Sequence, residues 1–523
     1  MATSGGTSSK NRRGVLRLVG YVAAAMMVGA GSTACMSPGS GDAGGSTLVF
    51  AEGTGPSSID PLGPGITGPG LRAWRQMYDT LVWFEDGKFV PQLATSWKTV
   101  DPLTWEFTLR ENVKFHNGEP FDANAVKFTM DRILDPAQNA TQRSRFGTVD
   151  SVEVVDATTV RIHTKRPAPV LLLGLTQAFI VPPKHTAENG GKAPDEPVGT
   201  GPFKFVSWRQ GEKISFTANE DYWGGAPKVQ NLEMRVIPDD ATRLDSFMAG
   251  EVDINMNLPI STIDTVKRHE EASVMHEFSR AALLLEFDTT HGGPMADPLV
   301  RQALNYAVDK EALIATILND TQRPLDGQVE SAASLGYNKS LSAYPYDPEK
   351  AKQLLAQAGY PNGFETVING PIGKYPADRD LVIAIAAQLE KVGVRATPNV
   401  TDFGSFIQAV GATKAGPMFL IGWYDFGDPA LSTSWFTSES TLGQYYADPT
   451  YDSLIAQASS TLDVEKRQRL YERASQHMHD EAMALFLTQP AMYYGVSKQV
   501  TGFVPRDDEL ITLQDVAVDG EAN

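Results

Sequence analysis

Between residues 109 and 128 the chain reads Leu-Arg-Glu-Asn-Val-Lys-Phe-His-Asn-Gly-Glu-Pro-Phe-Asp-Ala-Asn-Ala-Val-Lys-Phe. Asn117-Gly118 is a tight-turn dipeptide, Glu119-Pro120-Phe121 an extended step, and Asp122 a helix N-cap. Upstream, Trp105-Glu106-Phe107-Thr108-Leu109 alternates with period two, as a half-buried strand does. Downstream, Val126, Met130 and Ile133 fall on one face of a helix over 122–134. A strand, a turn and a capped helix in so short a span constrain this part of the chain to a small α+β unit, expected over 83–165. A hairpin of 152–155 with 160–163 completes it.

The chain has 523 residues, too many for one core and enough for two or three domains. Its hydrophobic (42%) and charged (21%) fractions are those of an ordinary globular protein. The formal net charge is −18, although the first 34 residues contain Lys10, Arg12, Arg13 and Arg17 and no acid. Such acidity argues against nucleic acid or an anionic membrane surface as partner, because phosphate binding needs a basic face. It permits a cationic ligand, although a solvated acidic surface is the commoner cause of such a charge. The single cysteine, Cys35, rules out an intramolecular disulfide and a cysteine-based zinc site.

Residues 1–34 read as an export signal. A basic, polar start is followed by an apolar run over 18–31, shorter than the roughly 20 residues a membrane-spanning helix needs. Ser32-Thr33-Ala34-Cys35 resembles a lipobox, with Ser where Leu is usual, so Cys35 is the expected lipidation site. Small residues at Ser32 and Ala34 also suit an ordinary signal peptidase. Asn11-Arg12-Arg13-Gly14-Val15-Leu16-Arg17 resembles a twin-arginine signal, and both export routes stay open. Residues 35–46 are then the lipidated Cys and a flexible Gly/Ser tether.

Further along, 47–51 is β-rich. Residues 63–68 spell G-x-G-x-x-G, but no clear helix opens there and the segment reads as loop. Helices are expected over 71–81, 243–250, 298–318, 347–358 and 380–392, with long amphipathic helices within 450–479. Strands are expected at 251–254 and 496–504. No repeat of 20–50 residues is present.

Several blocks, taken together and in order, resemble the extracytoplasmic solute-binding proteins of family 5, which feed peptide and nickel importers of the ABC type. They are the 109–128 run, Pro197-Val198-Gly199-Thr200-Gly201-Pro202-Phe203, Asn219-Glu220-Asp221-Tyr222-Trp223-Gly224-Gly225-Ala226-Pro227 and Gly250-Glu251-Val252-Asp253-Ile254. Val300-Arg301-Gln302-Ala303-Leu304-Asn305-Tyr306-Ala307-Val308-Asp309-Lys310 follows, then Tyr346-Asp347-Pro348-Glu349-Lys350-Ala351-Lys352-Gln353-Leu354-Leu355 with Ala358-Gly359-Tyr360-Pro361. The resemblance implies an α/β, two-lobed periplasmic-binding-protein-like fold with an extra inserted α+β domain. Domain I would be 47–72, 198–282 and 488–523, domain II 73–197, and domain III 283–487. It also implies a monomer without catalysis or cofactor, anchored by lipid to the outer face of the cell membrane. Such a protein captures a solute by hinge closure and passes it to the transmembrane subunits of a permease.

The segment Phe419-Leu420-Ile421-Gly422-Trp423-Tyr424-Asp425-Phe426-Gly427-Asp428-Pro429 carries the ligand expectation. In peptide-binding relatives an Asp just after Gly-Trp pairs with the ligand's α-ammonium. Asp425 matches it with one residue fewer in between, and Asp428 is the second candidate; either Asp also suits a turn. Trp423 is expected to line a side-chain pocket or the core. Gly422 is expected to offer backbone hydrogen bonds, and Tyr424 is a further expected ligand-binding residue. Asn255 and Asn257 would reach the cleft from domain I, or lie in an exposed loop.

No metal site is expected: His477-Met478-His479 puts its rings on different helix faces, and no H-E-x-x-H occurs. G-x-x-x-x-G-K-[ST] and G-x-S-x-G are also absent. The ligand class that follows is a short peptide. The alternatives are a nickel chelate, haem, an oligosaccharide or another small organic solute on the same fold, or a solute-sensing adaptor.

Overall fold

The computed structural model describes residues 46–62, 68–85, 87–189, 196–425, 427–430 and 432–519. The export signal, Cys35 and most of the tether lie outside the described residues, as do residues 63–67 of the glycine-rich loop.

Two large sheets organise the chain. The first has seven strands in the order Ala272–Phe278, Ala491–Ser497, Ile254–Met256, Thr47–Glu52, Asn231–Val236, Lys213–Ala218 and Phe203–Arg209. Thr47–Glu52 lies in its middle and runs parallel to both neighbours. The second has six strands in the order Arg323–Pro324, Ala484–Gln489, Ala281–Phe287, Met418–Tyr424, Glu365–Ile372 and Arg395–Asp402. Its central strands are apolar along nearly their whole length because both faces are covered. Leu283, Leu285, Met418 and Leu420 enter one apolar cluster, and Ala282, Leu284, Phe419, Ile421 and Trp423 enter the other.

A smaller four-stranded sheet (Ala94–Asp101, Thr104–Leu109, Thr159–Thr164, Val149–Asp156) carries the helix Ala123–Leu134. Asp122 caps that helix by accepting from the N–H groups of Asn124 and Ala125, and Val126, Met130 and Ile133 are fully buried. Beside it, Val82–Glu85 and Lys88–Pro91 form a short hairpin.

The two large sheets are joined by a ribbon of two crossings. Ala272–Phe278 continues through Ser279 and Arg280 into Ala281–Phe287, and Ala484–Gln489 passes Pro490 into Ala491–Ser497. The crossings bond to each other: Ser279 N donates to Pro490 O at 2.9 Å, and Gln489 Nε2 to Ser279 O at 2.7 Å.

Several element boundaries differ from expectation. The helix expected over 298–318 is two, Pro298–Ala307 and Lys310–Ile317. Val308 turns extended and Asp309 caps the second helix through Ala312 N at 2.9 Å. The strand expected at 251–254 is Ile254–Met256. Gly250 turns at φ +76°, and Asp253 is occupied in accepting from Val49 N at 2.7 Å. The strand expected over 496–504 is Ala491–Ser497, which pairs with Ala272–Phe278 over its whole length. The helix expected over 71–81 is Gly68–Met77.

Candidate functional site

A cavity of about 290 Å³ opens where these parts meet. Its walls come from distant stretches of chain: Leu71 and Arg72, Trp83 and Phe84, Arg145, Leu173 with Thr176 and Gln177, Arg280, Tyr424, and 508–510. Arg280 belongs to the ribbon crossing and Tyr424 ends a central strand of the six-stranded sheet, so both large sheets' junction and the smaller unit face one space.

Most of the charges around it are paired. Arg280 binds Asp507 through Nε at 2.8 Å and Nη2 at 2.6 Å, and its guanidinium lies 4.9 Å from the Phe84 ring centroid. Arg72 binds Glu52 at 2.5 Å. Arg506 holds Asp508 at 2.7 Å and Glu85 at 2.8 Å. Behind Trp83, the Arg75 guanidinium stacks 3.3 Å from the ring centroid, and burial lowers its pKa to about 10. At that value it is still charged at neutral pH, and it polarises the indole from behind. Burial raises the Glu509 carboxyl, an effect opposed by the Arg72 charge and the Ser279 hydroxyl.

Among the wall residues, Trp83 Nε1 and Gln177 Oε1 have no hydrogen-bond partner. Buried polar groups are almost always satisfied. A donor and an acceptor buried without partners, in residues that line a cavity, mark it as a place for a ligand's hydrogen bonds.

The sequence candidates are distributed differently. Tyr424 lines the cavity, with its hydroxyl 3.5 Å from Asp507 O. Gly422 N donates to the Tyr375 hydroxyl at 2.8 Å, and a β-carbon there would stand 2.8 Å from the same ring. Trp423 alternates onto the other face of its strand, stacks on Trp435 at 4.0 Å, and donates from Nε1 to Glu286. Asp425 is 2% exposed and accepts from the Ser334 hydroxyl and from Gly427 N at 2.8 Å. Asp428 is bound to Arg467 through both Nη atoms, the Nη2 contact at 2.7 Å.

Asn255 is buried in its strand and accepts from Arg243 Nε at 3.0 Å, while its Nδ2 has no partner. Asn257 is exposed, takes a left-handed backbone at φ +68°, and lies in a surface groove with Ile317 and Pro376. Trp83, Phe84, Gln177, Arg280 and Glu509 were not among the sequence candidates. Only Glu509 carried a signal, its place in the charge run Arg506-Asp507-Asp508-Glu509, which reads as surface until the fold brings it to the cavity. Among the described residues no group of three or more His, Cys, Asp and Glu side chains is placed to hold a metal ion.

Two sheets joined by a two-crossing ribbon, a third unit beside them and a cavity at their junction define a two-lobed solute-binding protein. The chain belongs to the bacterial extracellular solute-binding proteins of family 5, whose middle region matches residues 88–444. It is 30% identical over 483 residues (89% of this chain, 93% of the relative) to a glutathione-binding protein, GsiB, of Pectobacterium atrosepticum. It is 31% identical over 492 residues (86% of this chain, 88% of the relative) to heme-binding protein A of Haemophilus influenzae. The structure of the ABC transporter-associated periplasmic binding protein DppA from Helicobacter pylori, in complex with the peptide STSA, superposes with a TM-score of 0.71 at 27% identity, covering 91% of this chain and 98% of that one. These relatives are binding proteins, and among the described residues no helix is long and apolar enough to cross a membrane.

Proposed function

We propose that the chain is the extracytoplasmic substrate-binding lipoprotein of an ABC importer, a monomer that captures short peptides and delivers them to the permease. The observation that carries this reading is the open donor and acceptor, Trp83 Nε1 and Gln177 Oε1, in the cavity wall. A peptide unit offers one acceptor and one donor of its own, the chemical complement of this pair. The glutathione-binding and peptide-bound relatives support the same class. Domain I (47–72, 198–282, 488–523), domain II (73–197) and domain III (283–487) move about the ribbon at 278–281 and 489–491. A ligand that touches wall residues on both sides biases the balance toward the closed form, and the permease distinguishes loaded from empty protein by shape. The anchor is a lipid on Cys35.

Native mass spectrometry of the mature chain, purified gently from its own host, tests the reading. A ladder of short peptides released on fragmentation is the expected result. A single non-peptide species, such as a haem or a metal chelate, overturns it.

A further inference from the structure

We propose that Glu509 is the carboxylate that receives the free amino group of the bound peptide. The inference rests on the peptide reading above. Two carboxylates line the cavity, Asp508 and Glu509. Asp508 is committed: it accepts from Arg506 at 3.0 and 2.7 Å and from Leu510 N at 3.0 Å. Its neighbour Asp507 is held by Arg280 at 2.6 Å. Glu509 has the Ser279 hydroxyl as its hydrogen-bond partner, with Arg72, Asp508 and Lys374 acting on it electrostatically. Of these, Arg72 is already taken by Glu52 at 2.5 Å.

A second, independent feature marks the same cavity as a polar ligand site. Trp83 and Gln177, 3% and 6% exposed, carry an indole N–H and an amide oxygen with no partner. A peptide whose backbone meets these two groups brings an N-terminal ammonium with it. A desolvated ammonium needs a carboxylate that is not already neutralised. Asp425 does not meet that need, since it lies outside the cavity lining and is bonded to Ser334 and Gly427. The backbone of Glu509 fits the same picture. It holds φ +56°, a left-handed conformation that glycine adopts more easily than glutamate, so this side chain is kept at a conformational cost.

The test uses the mature protein with a random tripeptide library and the same library N-acetylated, each read by native mass spectrometry and titration. Wild type is expected to prefer free amines. Glu509→Gln should lower free-amine affinity by about tenfold or more, as loss of a charge-assisted bond implies, and leave the acetylated library unchanged. Glu509→Gly should lose the same preference without a fall in Tm, because glycine suits the backbone at this position; a purely structural role would predict lost stability instead. Unchanged free-amine binding in either variant overturns the inference, as does transfer of the effect to Asp425→Asn. Equal binding of both libraries by wild type overturns the inference and leaves the peptide reading standing. Binding of neither overturns both.

Discussion

Gly427 lies against Phe84 so closely that a β-carbon on it would stand 2.2 Å from the ring's Cε1. The contact joins the loop after Met418–Tyr424 to the Val82–Glu85 hairpin, and Phe84 is also a wall of the cavity. Gly87, at the hairpin tip, approaches Ala333 O in the same way, with a β-carbon distance of 3.0 Å. The hairpin therefore closes one side of the cavity by resting on two loops from the six-stranded half of the chain.

Gly427→Ala should accordingly both strain the backbone, which holds φ +93°, and push the hairpin away. The expected stability loss is about 1–3 kcal/mol, with weaker ligand retention. Adding Phe84→Ala should recover the steric part of the loss and leave the backbone part. Thermal unfolding of the single and double variants reads the two apart. A Gly427→Ala protein as stable as wild type would show that the hairpin is free to move.

What the sequence revealed of this arrangement was its local chemistry. Asp122 caps its helix as its neighbours Asn124 and Ala125 suggest, and the run 418–424 forms a strand because it is apolar throughout. The alternation within that strand was visible too, but not which side faces the core. Trp423 points to Trp435 and Glu286, partners that only the fold supplies. The cavity was illegible for the same reason: Trp83, Gln177, Arg280 and Glu509 meet across several hundred residues of chain. The break between the two helices at Val308 and Asp309 was more accessible, since an Asp before Lys-Glu is an N-cap pattern.

Asp428 and Arg467 form a buried pair with side chains 3% and 5% exposed. Asp428→Asn leaves the guanidinium without its counter-charge, and removing one partner of such a pair costs about 3–5 kcal/mol. The expected outcome is a large fall in Tm with ligand affinity unchanged at temperatures where the variant is folded. Abolished binding with an unchanged Tm would instead assign Asp428 to the ligand.

The pH dependence of stability should come partly from the six-stranded half. Burial pushes Glu286 up to about 8 from 4.5, against hydrogen bonds from Trp423 and Tyr446, and Glu330 up to about 7 from 4.5. The folded form thus holds protons that the unfolded form releases near 4.5. Between that value and about 8 the folded state binds more protons, so stability falls as pH rises and then levels off. Glu286→Gln removes its share of that slope. Its melting temperature should match wild type at pH 5 and exceed it at pH 9, and a constant difference at all pH values would contradict the assignment.

The open donor and acceptor in the cavity wall give the most direct reading of ligand contact. Trp83→Phe keeps a ring in front of the Arg75 guanidinium, 3.3 Å behind the indole, but deletes the N–H together with part of a buried ring system. Gln177→Leu keeps the bulk and deletes the amide. Neither atom has a partner in the chain, so neither change leaves a protein group newly unsatisfied; Tm should stay the same or rise for Gln177→Leu and fall for Trp83→Phe, which opens a cavity. Ligand affinity should fall, because a neutral hydrogen bond contributes about 0.5–1.5 kcal/mol, or roughly twofold to tenfold in Kd. Calorimetric titration of the co-purifying ligand into each variant measures this. Unchanged affinity in both would remove the donor and acceptor from the site and, with them, the feature that favours a peptide.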